Sequence, residues 1–282
     1  MNTLRRLSST SNGTPHSCPE PPAKVDLFGV PVTKAGPDEV LEAIMAWARI
    51  GRPATVVFMG VHGLTLSHRD PDYRRRLHQF DVVACDGQPV RWALNRWHDA
   101  QLPERVYGPM MTLRVCHAAA AEGVGVYFYG GREETLARLT ARIAEQFPDL
   151  RIVGAESPQF RPLTADELCE AAVRINASGA GVVFLGMGCP KQEIFATDQR
   201  DAINAVQLCV GAAFDFHAGA VPMAPRWMQN AGLEWFYRLC REPRRLWKRY
   251  LVSNTIFIAL CLKRTLGGRR FPGARATKPP TS

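Results

Sequence analysis

"GVVFLGMGCPKQEIF", residues 181–195, decides how this chain is to be read. Val182–Leu185 is an unbroken apolar run, without the polar alternation of a strand that has one wet face. Such a run suits a strand buried on both faces of a parallel sheet. It passes through Gly186 and Gly188 into Pro190 and a helix-like pattern. A turn that only redirects the chain needs a glycine or two. This one adds Lys191, Gln192 and Glu193, a set that can bring backbone N–H groups and charge up to something small and anionic.

Outward from that stretch the same strand–turn–helix pattern recurs. Apolar bursts at 55–60, 81–85, 125–130, 151–155 and 206–211 join 181–186 as strand candidates. Helical patterns fall between them at about 37–49, 61–79, 88–97, 108–122, 133–147, 164–178 and 190–202. "LTADELCEAAVRINASG" (163–179) carries its own punctuation, with Thr164 and Glu167 spaced as a capping box and Gly179 as a stop. The prediction is an α/β domain over residues 25–232, a Rossmann-like, mostly parallel sheet with helices on both faces. Ligands of such sheets sit in the loops at the carboxyl ends of the strands.

The ends differ from the body. Residues 1–24, "MNTLRRLSSTSNGTPHSCPEPPAK", have two arginines but no apolar core for a signal peptide, and read as a disordered lead-in. From Arg238 to Ser282 there are 12 Lys/Arg against the single acid Glu242, whereas the other 237 residues carry a net charge of −2. Overlapping that basic segment, residues 233–266 read as two helices split at Pro243, with Trp235, Phe236, Trp247 and Leu251 interleaved among arginines. The pattern fits an amphipathic helical appendage lying on an anionic membrane surface, with a terminal helix pair packed on the domain with a solvated basic face as the alternative. "TIFIALCL" (255–262) is far shorter than the roughly 20 apolar residues a spanning helix needs. Residues 267–282 read as a loose tail. The eight scattered cysteines include no CxxC and no zinc-ligand spacing, so they read as reduced, mostly buried thiols of a cytoplasmic protein.

Chemically capable residues gather at the strand ends. Asp86 in "CDGQP" closes one strand, where it could cap the next helix or act as a base. Gly130 and Gly131 form a double glycine before a helix, a place for phosphate, as do Gly186 and Gly188; close packing of helix on sheet would also require such glycines. Neither loop has the G-x-G-x-x-G or Walker A pattern. Lys191 and Gln192 could meet phosphate or the uracil and ribose edges of a nucleotide, and Glu193 suits the positive end of the helix dipole. Arg105 could pair with Glu104 or Asp99, or face a diphosphate. His62 follows the first core strand as a ligand contact or a structural histidine. Asp70 and Asp72 match a D-x-D in form, but Asp70 followed by Pro71 reads as a helix start.

Taken in order, "DGQPVRWALN", "LPERVYGPMM", "VYFYGG", "GMGCPKQE", "VGAAFDFHAG" and "APRWMQNAGLEWFYRLCREPRRLWKRYL" resemble the signatures of the WecG/TagA/CpsF glycosyltransferases, from about Val25 to Leu262. The resemblance implies an inverting, metal-independent transferase without a cofactor, which moves a sugar from a UDP-sugar to a polyprenyl-diphosphate-linked acceptor. It implies work at the inner face of the cell membrane in bacterial surface-polysaccharide assembly. The family's catalytic aspartate falls on Asp86, its diphosphate-facing arginine on Arg105, its nucleotide-contacting glutamine on Gln192 and the aspartate of its "FDF" turn on Asp215. The closing appendage falls on Arg238 through about Lys263, with Arg238, Arg245 and Lys248 as candidates to stabilise the leaving UDP. The sequence departs from the pattern at "FMGVHG" (58–63), where Thr or Asn is usual and His62 is the candidate substitute. It also has Met223 where a basic residue, and Phe195 where tryptophan, is common.

Two other classes fit less well. A Rossmann-type oxidoreductase would need the dinucleotide glycine pattern that "VFMGVHG" lacks. A nucleic-acid-binding protein would spread basic residues over the body, which is slightly acidic. An apolar appendage left without a membrane would allow self-association into homo-oligomers.

Overall fold

The computed structural model describes residues 19–267. A hairpin of β1 (Lys24–Leu27) and β2 (Val30–Thr33) leads into α1 (Pro37–Arg49), β3 (Ala54–Met59), α2 (Val61–Arg69) and α3 (Pro71–Leu77). Then come β4 (Val82–Cys85), α4 (Gln88–His98), α5 (Gly108–Glu122), β5 (Val126–Tyr129), α6 (Glu133–Gln146) and β6 (Ile152–Glu156). α7 (Ala165–Ala177), β7 (Val182–Leu185), α8 (Lys191–Asp198) and β8 (Val206–Cys209) complete the alternation. Four helices follow, α9 (Ala213–His217), α10 (Arg226–Asn230), α11 (Glu234–Arg241) and α12 (Pro243–Leu266).

The six predicted strands form one parallel sheet in the order β4-β3-β8-β7-β5-β6. Their apolar runs are unbroken because both faces are covered. Val56, Phe58, Val182, Phe184 and Leu208 point to a core shared with α1, α5, α6 and α9. The alternate residues Val57, Met59, Val183, Leu185 and Cys209 point to a second core under α2, α3, α4, α7 and α8. The sheet is therefore the Rossmann-like sandwich expected, with side chains alternating across the pleat between two apolar layers.

Local differences have local causes. The predicted helix 61–79 breaks at Asp70, whose carboxylate accepts from Asp72 N at 2.9 Å and Tyr73 N at 3.0 Å and starts α3. The pair Asp70 and Asp72 is thus a helix cap with Asp72 turned to Arg75. The capping box of Thr164 and Glu167 forms as read. The β1–β2 hairpin was not foreseen. Its two-residue turn places Phe28 at φ 56° and Gly29 at φ 83°, and Phe is an unusual choice there, so the Asn-Gly signal of such turns is missing. The hairpin covers the β4 edge, where Thr33 Oγ1 accepts from Val83 N at 2.9 Å.

Within the expected lead-in, Pro19 is fixed through its carbonyl, which accepts from Trp47 Nε1 at 2.9 Å. Residues 1–18 and the tail beyond Gly267 lie outside the described residues. Of the described cysteines, Cys85, Cys116 and Cys209 are buried and all are free, but Cys169 and Cys240 are exposed, so burial is less general than the sequence suggested.

Candidate active site

The carboxyl ends of β3, β4, β5, β7 and β8 open into a cavity of about 1140 Å³, and residues of α11 and α12 form its opposite wall. Asp86, Arg105, Gly131, Gly186, Gly188, Gln192, Glu193, Asp215 and His62 all line it, with Arg238 and Arg245 from the appendage. Gly130, Lys191 and Lys248 do not.

Asp86 extends β4 by one residue, its N–H donating to Met59 O at 3.1 Å. The cap of α4 is Gly87, which removes capping as the reason for the aspartate. Burial pushes the Asp86 carboxyl up; the Arg105 charge pulls it down, Glu234 raises it, and the Gly108 amide and Arg238 pull it down again. The balance stands at about 7. Arg105 Nη1 lies 3.9 Å from Asp86 Oδ1 and donates to the Asp86 carbonyl at 3.3 Å.

Arg105 pairs with neither Glu104 nor Asp99. Its Nη2 donates to Glu234 Oε2 at 2.7 Å, while Tyr107 OH donates to Glu234 Oε1 at 3.0 Å. The guanidinium also sits 4.0 Å from the centre of the Tyr107 ring. Glu234 thereby clips the first turn of α11 to the wall that carries Asp86. Sequence reasoning missed both Glu234 and Tyr107, although each lies inside a quoted signature.

The opening stretch divides by role. Gln192 is buried, with Oε1 accepting from Gly188 N at 3.2 Å and Nε2 donating to Glu193 Oε1 at 3.1 Å. Glu193 is 2% exposed, its Oε2 has no hydrogen-bond partner, and burial pushes its carboxyl up to about 7. Lys191 is exposed to solvent. Close packing explains two of the glycines. A Cβ on Gly186 would stand 2.3 Å from the Phe214 ring, and one on Gly130, at φ 119°, would stand 2.8 Å from the Gly186 carbonyl carbon. Gly131 and Gly188 remain as backbone lining the cavity.

His62 Nδ1 lies 3.2 Å from Ser253 Oγ of α12. Burial and the Arg249 charge push its ring down to about 4, so it is neutral at physiological pH. Asp215 is also raised by burial, opposed by Arg245. Arg132 and Arg249, which the sequence reading passed over, join Arg105, Arg238 and Arg245 around the cavity. The Nε atoms of Arg238 and Arg249 are buried without partners. Arg245 is held by Glu242, with contacts of 2.7 and 3.0 Å.

The appendage packs on the domain, as the second reading of its sequence has it. α12 buries Leu246, Ser253 and Phe257 along α2 and the hairpin, with the Phe257 and Phe28 ring centres 6.1 Å apart. Its opposite face leaves Trp247, Leu251, Ile258, Leu262 and Leu266 exposed. Among the described residues no helix is long and apolar enough to cross a membrane.

A carboxyl group near neutrality, in a cavity bordered by five guanidinium groups, can take a proton from a hydroxyl while an anionic group is held beside it. Residues 25–271 match the glycosyl transferase WecG/TagA/CpsF family. With the match running through every strand and both appendage helices, the chain belongs to the WecG/TagA/CpsF family of glycosyltransferases.

Proposed function

We propose that this protein is an inverting transferase that moves one sugar from a UDP-sugar to a polyprenyl-diphosphate-linked acceptor during bacterial surface-polysaccharide assembly. The observation that carries the reading is Asp86, held near neutral pKa among arginines at the mouth of the sheet. The acceptor hydroxyl oxygen attacks the anomeric carbon as the bond to the β-phosphate oxygen of UDP breaks. Asp86 takes the hydroxyl proton, a contribution of about 10²–10⁴ in rate for a well-placed base. Negative charge grows on the departing UDP, and Arg105, Arg132, Arg238 and Arg245 stand where guanidinium groups stabilise it. Gln192 and the Gly186–Gly188 backbone form the nucleotide cradle, and Asp215 closes it from the β8 side. With that cationic wall the chemistry proceeds without a metal ion. Closure of α11 and α12 over the donor excludes water, the competing nucleophile. The exposed face of α12 seats the protein on the inner face of the cell membrane.

The test is UDP release from a panel of UDP-sugars with a lipid-diphosphate-linked acceptor in vesicles. Release that survives EDTA and falls at least a hundredfold in Asp86→Asn, with UDP binding retained, is the expected result. Release unaffected by Asp86→Asn would remove the base, and loss in EDTA would remove metal independence.

A further inference from the structure

A second cavity, of about 340 Å³, lies between α2 and α12. Its size is at the low end of the roughly 300–1,000 Å³ typical of small-ligand pockets. Arg69 from α2 and Lys248 and Arg249 from α12 line it, and no acidic side chain does. None of these three cations forms an ion pair with an acid among the described residues, and the Arg249 Nε is buried with no partner. Three like charges around one hollow repel one another, an arrangement that a bound anion relieves. The rest of the wall includes Leu66, Val252 and Ile256. Val252, 40% exposed, continues this apolar wall toward the outward face of α12, where Leu251 is 61% exposed.

The two cavities are neighbours. His62, Arg249 and Ser253 line both. Gly60, two residues before His62, packs against Gly87, whose Cβ position is 3.5 Å from the Gly60 Cα, and Gly87 follows Asp86. A molecule anchored between α2 and α12 can therefore extend past His62 toward the Asp86 carboxylate. The basic side chains fall into two groups, one around the main cavity and one, with Arg69 and Lys248, beside it, linked by Arg249.

We propose that the α2–α12 cavity binds the diphosphate and first isoprene units of the lipid-linked acceptor, separately from the donor's diphosphate. The inference rests on the transferase reading for the identity of the acceptor. Arg69, Lys248 and Arg249 hold the phosphates; Leu66, Val252 and Ile256 hold the chain that leads out to the membrane. Lys248, which the sequence suggested would stabilise leaving UDP, belongs instead to the acceptor.

Direct binding to the full-length protein tests this without any donor sugar, using farnesyl diphosphate, farnesyl monophosphate, inorganic pyrophosphate and farnesol as probes, and UDP as the reporter of the main cavity. Farnesyl diphosphate is expected to bind at least tenfold tighter than pyrophosphate or farnesol, and to bind together with UDP. The exposed pair Arg69→Glu/Lys248→Glu should weaken it at least tenfold and leave UDP binding within about twofold, which also reports that the variant is folded. Unchanged farnesyl diphosphate binding in that variant, or one-for-one displacement by UDP, overturns the separate site. Equal binding of pyrophosphate overturns the lipid portion. Equal binding of farnesyl monophosphate gives the cavity to a phospholipid headgroup and overturns the diphosphate. Farnesyl diphosphate binding that behaves as expected, with no UDP binding in the wild type, would sink the transferase reading while leaving this lipid-diphosphate site in place.

Discussion

A carboxyl group near pH 7 is a base only to the extent that it has lost its proton. For Asp86, pushed up to about 7 by burial, kcat/KM should therefore rise with pH through about 7 and fall roughly tenfold per unit below it. His62, pushed down to about 4, is already neutral across that range. Glu193 also stands at about 7, so Glu193→Gln must be profiled in parallel. It should keep the inflection, and an inflection lost only in Glu193→Gln would assign the titration to Glu193. The same shift acts on stability. The folded pKa of Asp86 lies above the unfolded value of 3.8, so the folded state holds a proton that the unfolded chain releases. Stability is fully present below about pH 4 and is lost as pH rises through 7. Asp86→Asn escapes that loss, and the Tm difference in favour of the variant should widen between about pH 5 and pH 8. A constant difference would mean that Asp86 is not raised.

At the scale of elements, the clip from α11 to the loop before α5 joins two walls of the candidate site. Arg105 and Glu234 side chains are only 11% and 14% exposed, so the pair is screened less than a surface ion pair. Breaking one partner of such a pair costs up to about 3 kcal/mol, because the other charge is left partly buried. Glu234→Gln should loosen α11, seen as cleavage by trypsin after Arg238 and Arg241 that is roughly tenfold faster or more. Transfer should fall with it, since Arg238 is carried on the same helix. Unchanged cleavage would show that α11 is held by other contacts. The pair joins residues 129 positions apart, and nothing near Arg105 in the chain announces Glu234.

At the scale of the whole molecule, α12 is where exposed apolar and basic residues run together along one described helix. The outward residues of α12 repeat at helical spacing from Trp247 through Leu251, Ile258 and Leu262 to Leu266, beside a basic set that includes Arg244 and Lys248. Insertion of one leucine side chain into an apolar phase is worth about 1.5–3 kcal/mol. Leu251→Glu/Leu262→Glu should thus lower binding to phosphatidylglycerol vesicles at least tenfold, with the circular dichroism spectrum unchanged, because both positions are exposed. Wild-type binding should weaken in high salt, as attraction between basic residues and anionic lipid is screened. Vesicle binding that survives the double substitution would place the membrane contact elsewhere.

Residue order alone is enough to specify the sheet, its burial on both faces and the strand ends where chemistry gathers. Those properties depend on neighbours within a few residues, on runs such as Val182–Leu185 and on the glycines behind them. It also placed Asp86 and Gln192 at such ends. Folding in three dimensions settles which of these residues face one another. Gly130 and Gly186 serve packing against Phe214 and each other, Lys191 faces solvent, and Lys248 leaves the main cavity for the neighbouring one. It decided that α12 has two apolar stripes, one on α2 and one facing out, because a helix with apolar residues on two sides has no single amphipathic face to read. It decided the arginine set as well, adding Arg132 from outside the signatures and picking Arg249 from among the arginines inside the last one. Coulombic interaction depends on distance in space, and burial on what covers a group, so a pKa near 7 at Asp86 could be known only after Arg105, Gly108 and Glu234 had been brought together around it.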